Sequence, residues 1–320
     1  MSKTTKTWLI VAASLLAIGL IAFAVIMTIN GWNFTKLDTE KYKTNTYEPN
    51  KEFSNISIKT DTADIVFIPS DDEKCKVVCY EEENAKHSVS VTDGVLTINV
   101  VDTKKWYEHI GINFGTPKIT IYLPEKEYSS LIIGEHTGDI EIPNDFKFES
   151  IDASVSTGDV KCYASVAKTI KIAATTGDIS VSDISVGMLE LSTSTGNVSV
   201  SGITCEGDVK IVVSTGKAQL TDTVCQSIIS SGSTGDIFLK NVIAAEKFSI
   251  ERSTGDVKFD GSDAAEIHVK TDTGDVEGSL LTEKVFITKT DTGNINVPNS
   301  ITGGRCEITT DTGDIKITIN

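Results

Sequence analysis

The sequence is poor in basic residues and in the residue types from which active sites are usually built. Its 320 residues carry 29 Lys and Arg against 45 Asp and Glu, a net charge of −16, and Arg252 and Arg305 are the two arginines. Such an acidic chain is a poor ligand for nucleic acid. The four histidines are scattered, without metal-ligand spacing or a nucleophile motif nearby. We therefore predict a protein that is not an enzyme and has no cofactor, and a polysaccharide-active β-helix enzyme is the least favoured alternative.

Charged side chains are missing altogether from residues 7–35. Residues 8–29 are apolar and would form about 33 Å of helix, enough to span a bilayer. Lys3 and Lys6 precede this stretch, so the positive-inside rule predicts that residues 1–7 form a cytoplasmic tail and that the bulk of the chain lies outside. The alternative is a secreted protein cut near Ala24, but the apolar run continues beyond that site, which favours a retained single-pass anchor in the cell membrane.

Helical periodicity is also lacking after this stretch, and a short repeat takes its place. Thr-Gly followed by Asp, Asn or, once, Lys occurs ten times, at intervals of 19 or 20 residues. Apolar residues alternate with polar ones on both sides of each glycine, as in half-buried strands. Two short strands and two turns per repeat predict an all-β single-chain solenoid, of the parallel β-helix or β-roll type. The glycines are Gly138, Gly158, Gly177, Gly196, Gly216, Gly235, Gly255, Gly274, Gly293 and Gly313.

The repeated motif has a structural interpretation and a ligand-binding one. Glycine suits a tight corner with positive φ, and the adjacent Asp or Asn can bind backbone amides that the turn exposes. Stacked carboxylates about 4.8 Å apart could instead share Ca²⁺. Turn capping is favoured, and the doubly acidic last coils are the best place for a weak Ca²⁺ site. Its candidate ligands are Asp272, Asp275, Asp291, Asp311 and Asp314.

The remaining organisation follows from the same patterns. Residues 30–50 are polar and predict a stalk, residues 51–133 predict degenerate coils that cap the solenoid, and residues 134–320 form its regular part. The final strand-like residues predict an open solenoid end, where end-to-end self-association could occur. One sizeable loop interrupts the cap, and its aromatic residues are candidates for partner binding: Trp106, Tyr107, His109 and Phe114.

The six cysteines all lie on the predicted exported side. Cys205 and Cys225 each follow their corner glycine by nine residues, so equivalent positions in adjacent coils predict Cα atoms near 4.8 Å, within disulfide range. Whether the pair is oxidised depends on the compartment.

Three segments carry a more specific resemblance. They are residues 118–124, with the sequence Lys-Ile-Thr-Ile-Tyr-Leu-Pro, the Tyr-Ser-Ser-Leu run at 128–131, and Thr-Gly-Asp-Ile-Glu-Ile at 137–142. The chain resembles the bacterial putative-adhesin family of β-strand repeat domains of unknown function, from about Phe53 to the C-terminus. The resemblance implies membrane-anchored or soluble forms, no established catalytic residues, and relatives that accompany cell-envelope stress systems.

Together these observations predict a membrane-anchored extracytoplasmic solenoid that acts as an adhesin-like binding or scaffold module at the cell surface. An envelope protein or a glycan is the expected partner, and nucleic acid is not. The alternative is an accessory protein of an envelope-stress signalling system.

Overall fold

The computed structural model describes residues 2–33, 41–105 and 115–320. One helix, α1 (Lys3–Ile29), precedes the strands. It starts earlier than the apolar stretch because the Ser2 hydroxyl accepts a hydrogen bond from the Thr5 amide, 3.1 Å away, and so caps the first turn. Lys3 to Thr7, which the sequence assigned to a tail, therefore belong to the helix.

The strands form three groups. The first seven are named the cap: β1 (Tyr42–Tyr47), β2 (Asn55–Lys59), β3 (Asp64–Pro69), β4 (Lys76–Glu82), β5 (Ala85–Thr92), β6 (Val95–Asp102) and β7 (Lys118–Leu123). The next thirteen are named the rod: β8 (Glu127–Thr137), β9 (Ile140–Ile142), β10 (Lys147–Thr157), β11 (Val160–Cys162), β12 (Ser165–Thr176), β13 (Ile179–Ser182), β14 (Ser185–Thr195), β15 (Val198–Cys205), β16 (Val209–Thr215), β17 (Ala218–Thr234), β18 (Ile237–Thr254), β19 (Val257–Thr273) and β20 (Val276–Leu280). The last four are β21 (Lys284–Thr292) and β22 (Ile295–Asn296), named the outer coil, and β23 (Gly304–Thr312) and β24 (Ile315–Ile319), named the inserted coil.

The rod is the predicted β-solenoid. Each strand pairs in parallel with its equivalent one coil further on, so that Ile151, Ile170 and Leu189 stack in register. Alternate residues point inward and are buried, as Ile140 and Ile172 illustrate. The period-two alternation of the sequence therefore identifies the core correctly, and the stacked aliphatic rows hold the coils together.

The corner glycines have the backbone conformation that the motif predicts. All ten have φ between 121° and 154°. A Cβ atom at Gly138 would lie 2.2 Å from the carbonyl oxygen of Ala63 in the neighbouring coil, so coils stack there at a distance that admits no side chain. Ala63 stands at the equivalent corner of its own coil, but without a positive φ.

Chain order and spatial order differ at both ends of the solenoid. In the cap, the coil formed by β2 and β3 lies between β6–β7 on one side and β8–β9 on the other. At the opposite end, β23 pairs with β19 and with β21, and β24 pairs with β20 and with β22. The last coil of the chain is thus inserted between the two that precede it.

Two expectations from the sequence are wrong at this level. The final strand β24 is paired on both sides, so the open edge of the solenoid belongs to β21. Residues 42–47 are not part of a stalk, because β1 pairs antiparallel with β4. β4 in turn pairs antiparallel with β7, and β5 pairs antiparallel with β6. The cap is therefore one parallel coil and its outer neighbour, closed by antiparallel strands.

Candidate functional site

The corner aspartates form a ladder of hydrogen bonds along the rod. Asp139 Oδ1 accepts from the Asp159 amide at 2.8 Å, and Asp275 Oδ1 accepts from the Asp314 amide at 2.7 Å. Asp314 Oδ1 then accepts from the Asn294 amide of the outer coil at 2.7 Å. Each of these carboxylates uses one oxygen to satisfy the backbone of the next coil, which is the predicted turn-capping role.

The remaining Ca²⁺ candidates form an exposed column in the order Asp272, Asp311, Asp291, as the pairing of their flanking threonines shows. Asp291 is already paired with Lys289, whose Nζ lies 3.0 Å away. Within residues 2–33, 41–105 and 115–320, these aspartates do not bring three ligand atoms within 4.8 Å of one another. A Ca²⁺ site in the last coils thus gains no support from the geometry.

Cys205 and Cys225 lie in adjacent coils, one residue beyond the paired Thr204 and Val224. Both are buried, and both thiols are free. Cys205 Sγ lies 3.6 Å from the carbonyl oxygens of Gly187 and Asp208. A disulfide between the two cysteines stays a prediction. The aromatic loop residues proposed for partner binding, Trp106, Tyr107, His109 and Phe114, lie outside the described residues.

A group of polar side chains that the sequence did not single out lies inside the cap. His87 on β5 is 5% exposed; its Nδ1 is 2.7 Å from Glu81 Oε2 and its Nε2 is 2.9 Å from the Thr60 hydroxyl. Glu81 Oε1 also accepts from Asn45 Nδ2 at 2.6 Å and from the Tyr47 hydroxyl at 3.4 Å. We name these five residues the cap network. It ties β1, β4 and β5 to the first coil.

The burial of the cap network has electrostatic consequences. Desolvation, with the nearby Glu81 carboxylate as the next cause, raises the pKa of Tyr47 to about 12. Burial and the same carboxylate raise the pKa of the Cys79 thiol to about 12. Tyr47 is therefore a neutral hydrogen-bond donor, and Cys79 is a neutral thiol, at physiological pH.

Cys79, Glu81 and His87 also bring three possible metal ligands within 4.8 Å of one another. These are ligand types that Zn²⁺ accepts. The two oxygens of Glu81, however, already receive hydrogen bonds from Asn45, Tyr47 and His87, and the thiol is protonated. The arrangement is satisfied as a hydrogen-bonded network, which accounts for it without an ion.

The cap network borders a cleft of about 900 Å³. Within the described part of the chain, two buried acceptor atoms of residues that line this cleft have neither a hydrogen-bond nor an ion-pair partner, Glu135 Oε2 and Asn99 Oδ1. Glu135 is 5% exposed, and its other oxygen accepts from the Ala63 amide at 2.9 Å. Burial, with Asp64 and Asp61 adding to it, raises the pKa of Glu135 to about 8. Glu135 is therefore mostly a neutral acid at pH 7, able to donate as well as accept.

The arrangement can do two things chemically. The line Thr60, His87, Glu81 has the spacing of a hydroxyl, a base and an orienting carboxylate. The unpartnered acceptors can receive hydrogen bonds from a ligand in the cleft. Sequence reasoning missed these residues because it searched for motifs. The available signal was the alternation Val77, Cys79, Glu81, which puts a carboxylate on the buried face of β4.

Several solved structures are similar to the chain. A protein described as a "putative lipid binding protein" from Parabacteroides distasonis is similar at 18% identity and a TM-score of 0.49, covering 88% of this chain and 98% of that one. A "putative adhesin" from Bacteroides fragilis is similar at 18% identity and a TM-score of 0.43, covering 87% and 97%. A third, a "putative adhesin" from Parabacteroides merdae, is similar at 13% identity and a TM-score of 0.47, covering 88% and 98%. Among curated proteins, none matches.

A family model gives the decisive match. It carries the description Toastrack DUF4097 and matches residues 53–214 and again residues 206–320. These two segments include nearly all of the cap and the whole of the rod, the outer coil and the inserted coil. The β-solenoid belongs to the Toastrack DUF4097 family.

Proposed function

We propose that the chain is anchored in a membrane by α1 and presents its solenoid on the extracytoplasmic side as a non-catalytic binding module. The observation that carries the proposal is the exposure of α1. Its most apolar window has a mean hydropathy of 2.9, and none of that window is buried against the rest of the protein. Leu15, Leu16 and Ile18 are each more than 60% exposed. An apolar helix of this length, left uncovered, is stable in a bilayer and not in water.

The anchor sets the distance of the cap from the membrane. Twelve residues lie between the end of α1 at Ile29 and the start of β1 at Tyr42, so β1 can begin at most about 45 Å from the end of the helix. Lys3 and Lys6 favour a cytoplasmic N-terminus under the positive-inside rule. The cap is the end of the solenoid that is joined directly to the anchor.

Topology is tested with the full chain in a bacterial host. A protease added to spheroplasts or protoplasts should digest the solenoid. Extraction with alkaline carbonate should leave the chain in the membrane fraction. The intact mass distinguishes a retained α1 from cleavage near Ala24. A solenoid released into the medium, or one protected until the membrane is lysed, contradicts the proposal.

The proposed ligand site is the cleft at the cap. Glu135 Oε2 and Asn99 Oδ1 are buried acceptors that need donors, and the protonated Glu135 can also donate. Glycan hydroxyls both donate and accept, so a surface glycan fits this pair better than a purely cationic ligand does. The acidic side chains around the cleft, among them Asp61 and Asp102, disfavour an anionic glycan.

Binding is tested with the detergent-solubilised full chain and a panel of neutral envelope glycans. Asn99→Leu keeps the side-chain volume but removes the acceptor, and we expect affinity to fall about tenfold, as for a lost hydrogen bond of about 1.4 kcal/mol. Asn144→Leu, in an exposed turn of the rod, is the matched control and should bind as wild type does. Equal binding by both variants would move the site away from the cleft.

A hydrolase is the second candidate, because Thr60, His87 and Glu81 form a hydrogen-bonded line. Against it, Thr60 is 5% exposed and its amide donates to the Gly134 carbonyl at 3.0 Å, which fixes it in the coil. We expect no turnover of ester or glycan substrates by the full chain. Turnover that disappears in Thr60→Val would replace the binding proposal by an enzymatic one.

A further inference from the structure

The outer coil leaves a strand edge open. Of the described strands, only β23 pairs with β21, and it does so on one side. In the equivalent strand of the rod, the Leu189 amide donates to the Asp208 carbonyl of the next coil. Phe286 is the residue of β21 in register with Leu189, and backbone groups of successive residues point to opposite sides, so those of Phe286, Thr288 and Thr290 point to the open side. Such an edge is a template for another strand.

The apolar interior of the outer coil is also uncovered. Ile295 is 46% exposed, whereas Ile315, its neighbour in the inserted coil, is fully buried. Phe286 is half-buried, whereas Cys306, its partner on β23, is fully buried. In the rod, each coil covers the inward-facing side chains of the coil before it. At the outer coil, the corresponding side chains are exposed to solvent. A partner that continues the solenoid would cover both the edge and this surface.

The opposite end of the solenoid cannot supply that partner surface. There β6 pairs with β5, and β7 pairs with β4, both antiparallel. The cap thus occupies the edge to which a head-to-tail neighbour would bind. A neighbour therefore cannot continue the parallel coils at that end, which favours a closed two-fold pair over an open filament.

Charge favours a second copy of the same chain. The whole protein has a net charge of −16, which opposes self-association along its sides. The outer coil, residues 284–296, carries two lysines and one aspartate, so it is the near-neutral end of an acidic rod. Lys289 and Asp291 lie two residues apart on its open strand. In an antiparallel pair of two β21 strands, Lys289 of each copy can approach Asp291 of the other.

We propose that two copies of the chain pair end to end through their outer coils, with β21 antiparallel to β21 of the second copy. The sheet continues across the junction, and Ile295 and Phe286 of both copies become buried. The proposal rests on the outer coil alone and not on the anchor or the cleft. A failure of the proposed ligand binding would not contradict the dimer, and a failure to dimerise would not contradict the proposed ligand binding.

The first test measures the mass of the full chain in detergent as a function of protein concentration. Ile287→Lys adds a positive charge beside Lys289 on the open strand, and Thr288→Pro removes an N–H that points to the open side. Ile132→Lys is the matched control, since Ile132 is, like Ile287, 48% exposed but lies on β8, which is paired on both sides. We expect wild type and Ile132→Lys to dimerise, with dimerisation at least tenfold weaker in both β21 variants.

The second test uses hydrogen exchange and does not depend on a variant. Amides of the peptide covering residues 284–296 should become protected as concentration rises, while the peptide covering residues 127–137 should not change. Wild type that stays monomeric at every concentration overturns the proposal. So does a dimer that both β21 variants, Ile287→Lys and Thr288→Pro, retain, because association through α1 would then explain it.

Discussion

At each end of the solenoid the outermost coil has a strand edge with no further coil beside it, and the two ends differ in whether that edge is covered. At both ends the chain passes to the outermost coil and places another coil inside it, so that β2–β3 and β23–β24 are each paired on two sides. At the N-terminal end, antiparallel strands then close the outermost edge. At the C-terminal end, no described strand covers the outer side of β21. Insertion pairs the terminal coil on two sides, and at the N-terminal end the antiparallel strands also cover the parallel edge of the outermost coil.

The cost of closing an edge appears in the side chains. The cap buries charged and polar groups, and it needs the cap network to satisfy them. In the outer coil one charged side chain, Lys284, is buried and pairs with Asp263, whereas inward positions such as Phe286 remain partly in water. Buried polar groups are tolerated only when paired, so the cap is the more specific and more vulnerable end.

The largest expected loss of stability comes from replacing a corner glycine next to the cap, compared with the same replacement in the outer coil. Gly138→Ala places a Cβ atom 2.2 Å from the Ala63 oxygen in a coil held on both sides, and we expect it to destabilise by about 4 kcal/mol or more. Gly293→Ala meets the Gly313 oxygen at 2.0 Å, but its coil can shift outward, so about 1–3 kcal/mol of backbone strain should remain. Urea unfolding followed by circular dichroism compares the two, and equal losses would mean that the open end is as constrained as the cap.

The next largest loss of stability should come from breaking a buried ion pair, and each end of the solenoid has one. Lys284 Nζ lies 2.6 Å from Asp263 Oδ1, both side chains are at most 9% exposed, and the second oxygen of Asp263 has no hydrogen-bond partner among the described residues. Lys284→Ala should therefore cost about 3–5 kcal/mol. Lys104→Ala in the cap should cost less, because Glu82 keeps the Tyr42 hydroxyl at 3.2 Å. Lys284→Met combined with Asp263→Leu should recover most of the loss in the same unfolding assay. A larger loss of stability in Lys104→Ala than in Lys284→Ala would contradict this order.

Much of the rod could be predicted from the sequence because one period determines it. The spacing of the corner glycines gives the coil length, and the alternation around them gives inward residues such as Ile140 and Ile172. The order of the coils could not be predicted, since Ile267 can stack equally well on Cys306 or on Phe286 by pattern alone. The structure places Cys306 there and Phe286 one coil further out.

The cap was harder to predict for a different reason. Its strands β1, β4 and β5 pair antiparallel, so no repeat length constrains them. The polar sequence of β1 hid its role, because Asn45 and Tyr47 bind a buried carboxylate instead of filling an apolar core. Glu81 and His87 are six residues apart and match no motif. Only the antiparallel pairing of the strands brings them together.

The third prediction uses pH to isolate the cap. The pKa of Glu135 is raised from 4.5 to about 8 in the folded state, so its contribution to stability is complete below pH 4.5 and is lost as the pH rises toward 8. Between pH 5 and 7 the loss should be about 2–3 kcal/mol. Glu135→Gln should remove this slope from the unfolding free energy, and Glu190→Gln, on the rod, should keep it. An unchanged slope in Glu135→Gln would assign the pH dependence to other groups.

The smallest expected change in stability comes from a corner between the two ends, where Lys217 interrupts the ladder of Asp and Asn side chains. The Lys217 amide donates to Asn197 Oδ1 at 3.0 Å, but the side chain of Lys217 offers no acceptor to the Asp236 amide in the next coil. Lys217→Asn should supply that acceptor, as Asn197 does one coil earlier. The gain should be below about 1 kcal/mol, because the exposed ion pair of Lys217 with Asp236 is lost.

This repair would also show whether the two ends unfold together. In a stack of coils, stability depends on contacts between neighbours, so a weak junction lets the halves open separately. Lys217→Asn should slow exchange of the Asp236 amide and make unfolding of the cap and of the outer coil more nearly simultaneous. Lys210→Asn removes the same charge from β16 without adding an acceptor at the corner, and it should do neither. If Asp236 exchanges at the wild-type rate in Lys217→Asn, the ladder does not couple the coils, and the stacked aliphatic core alone must connect the closed end to the open one.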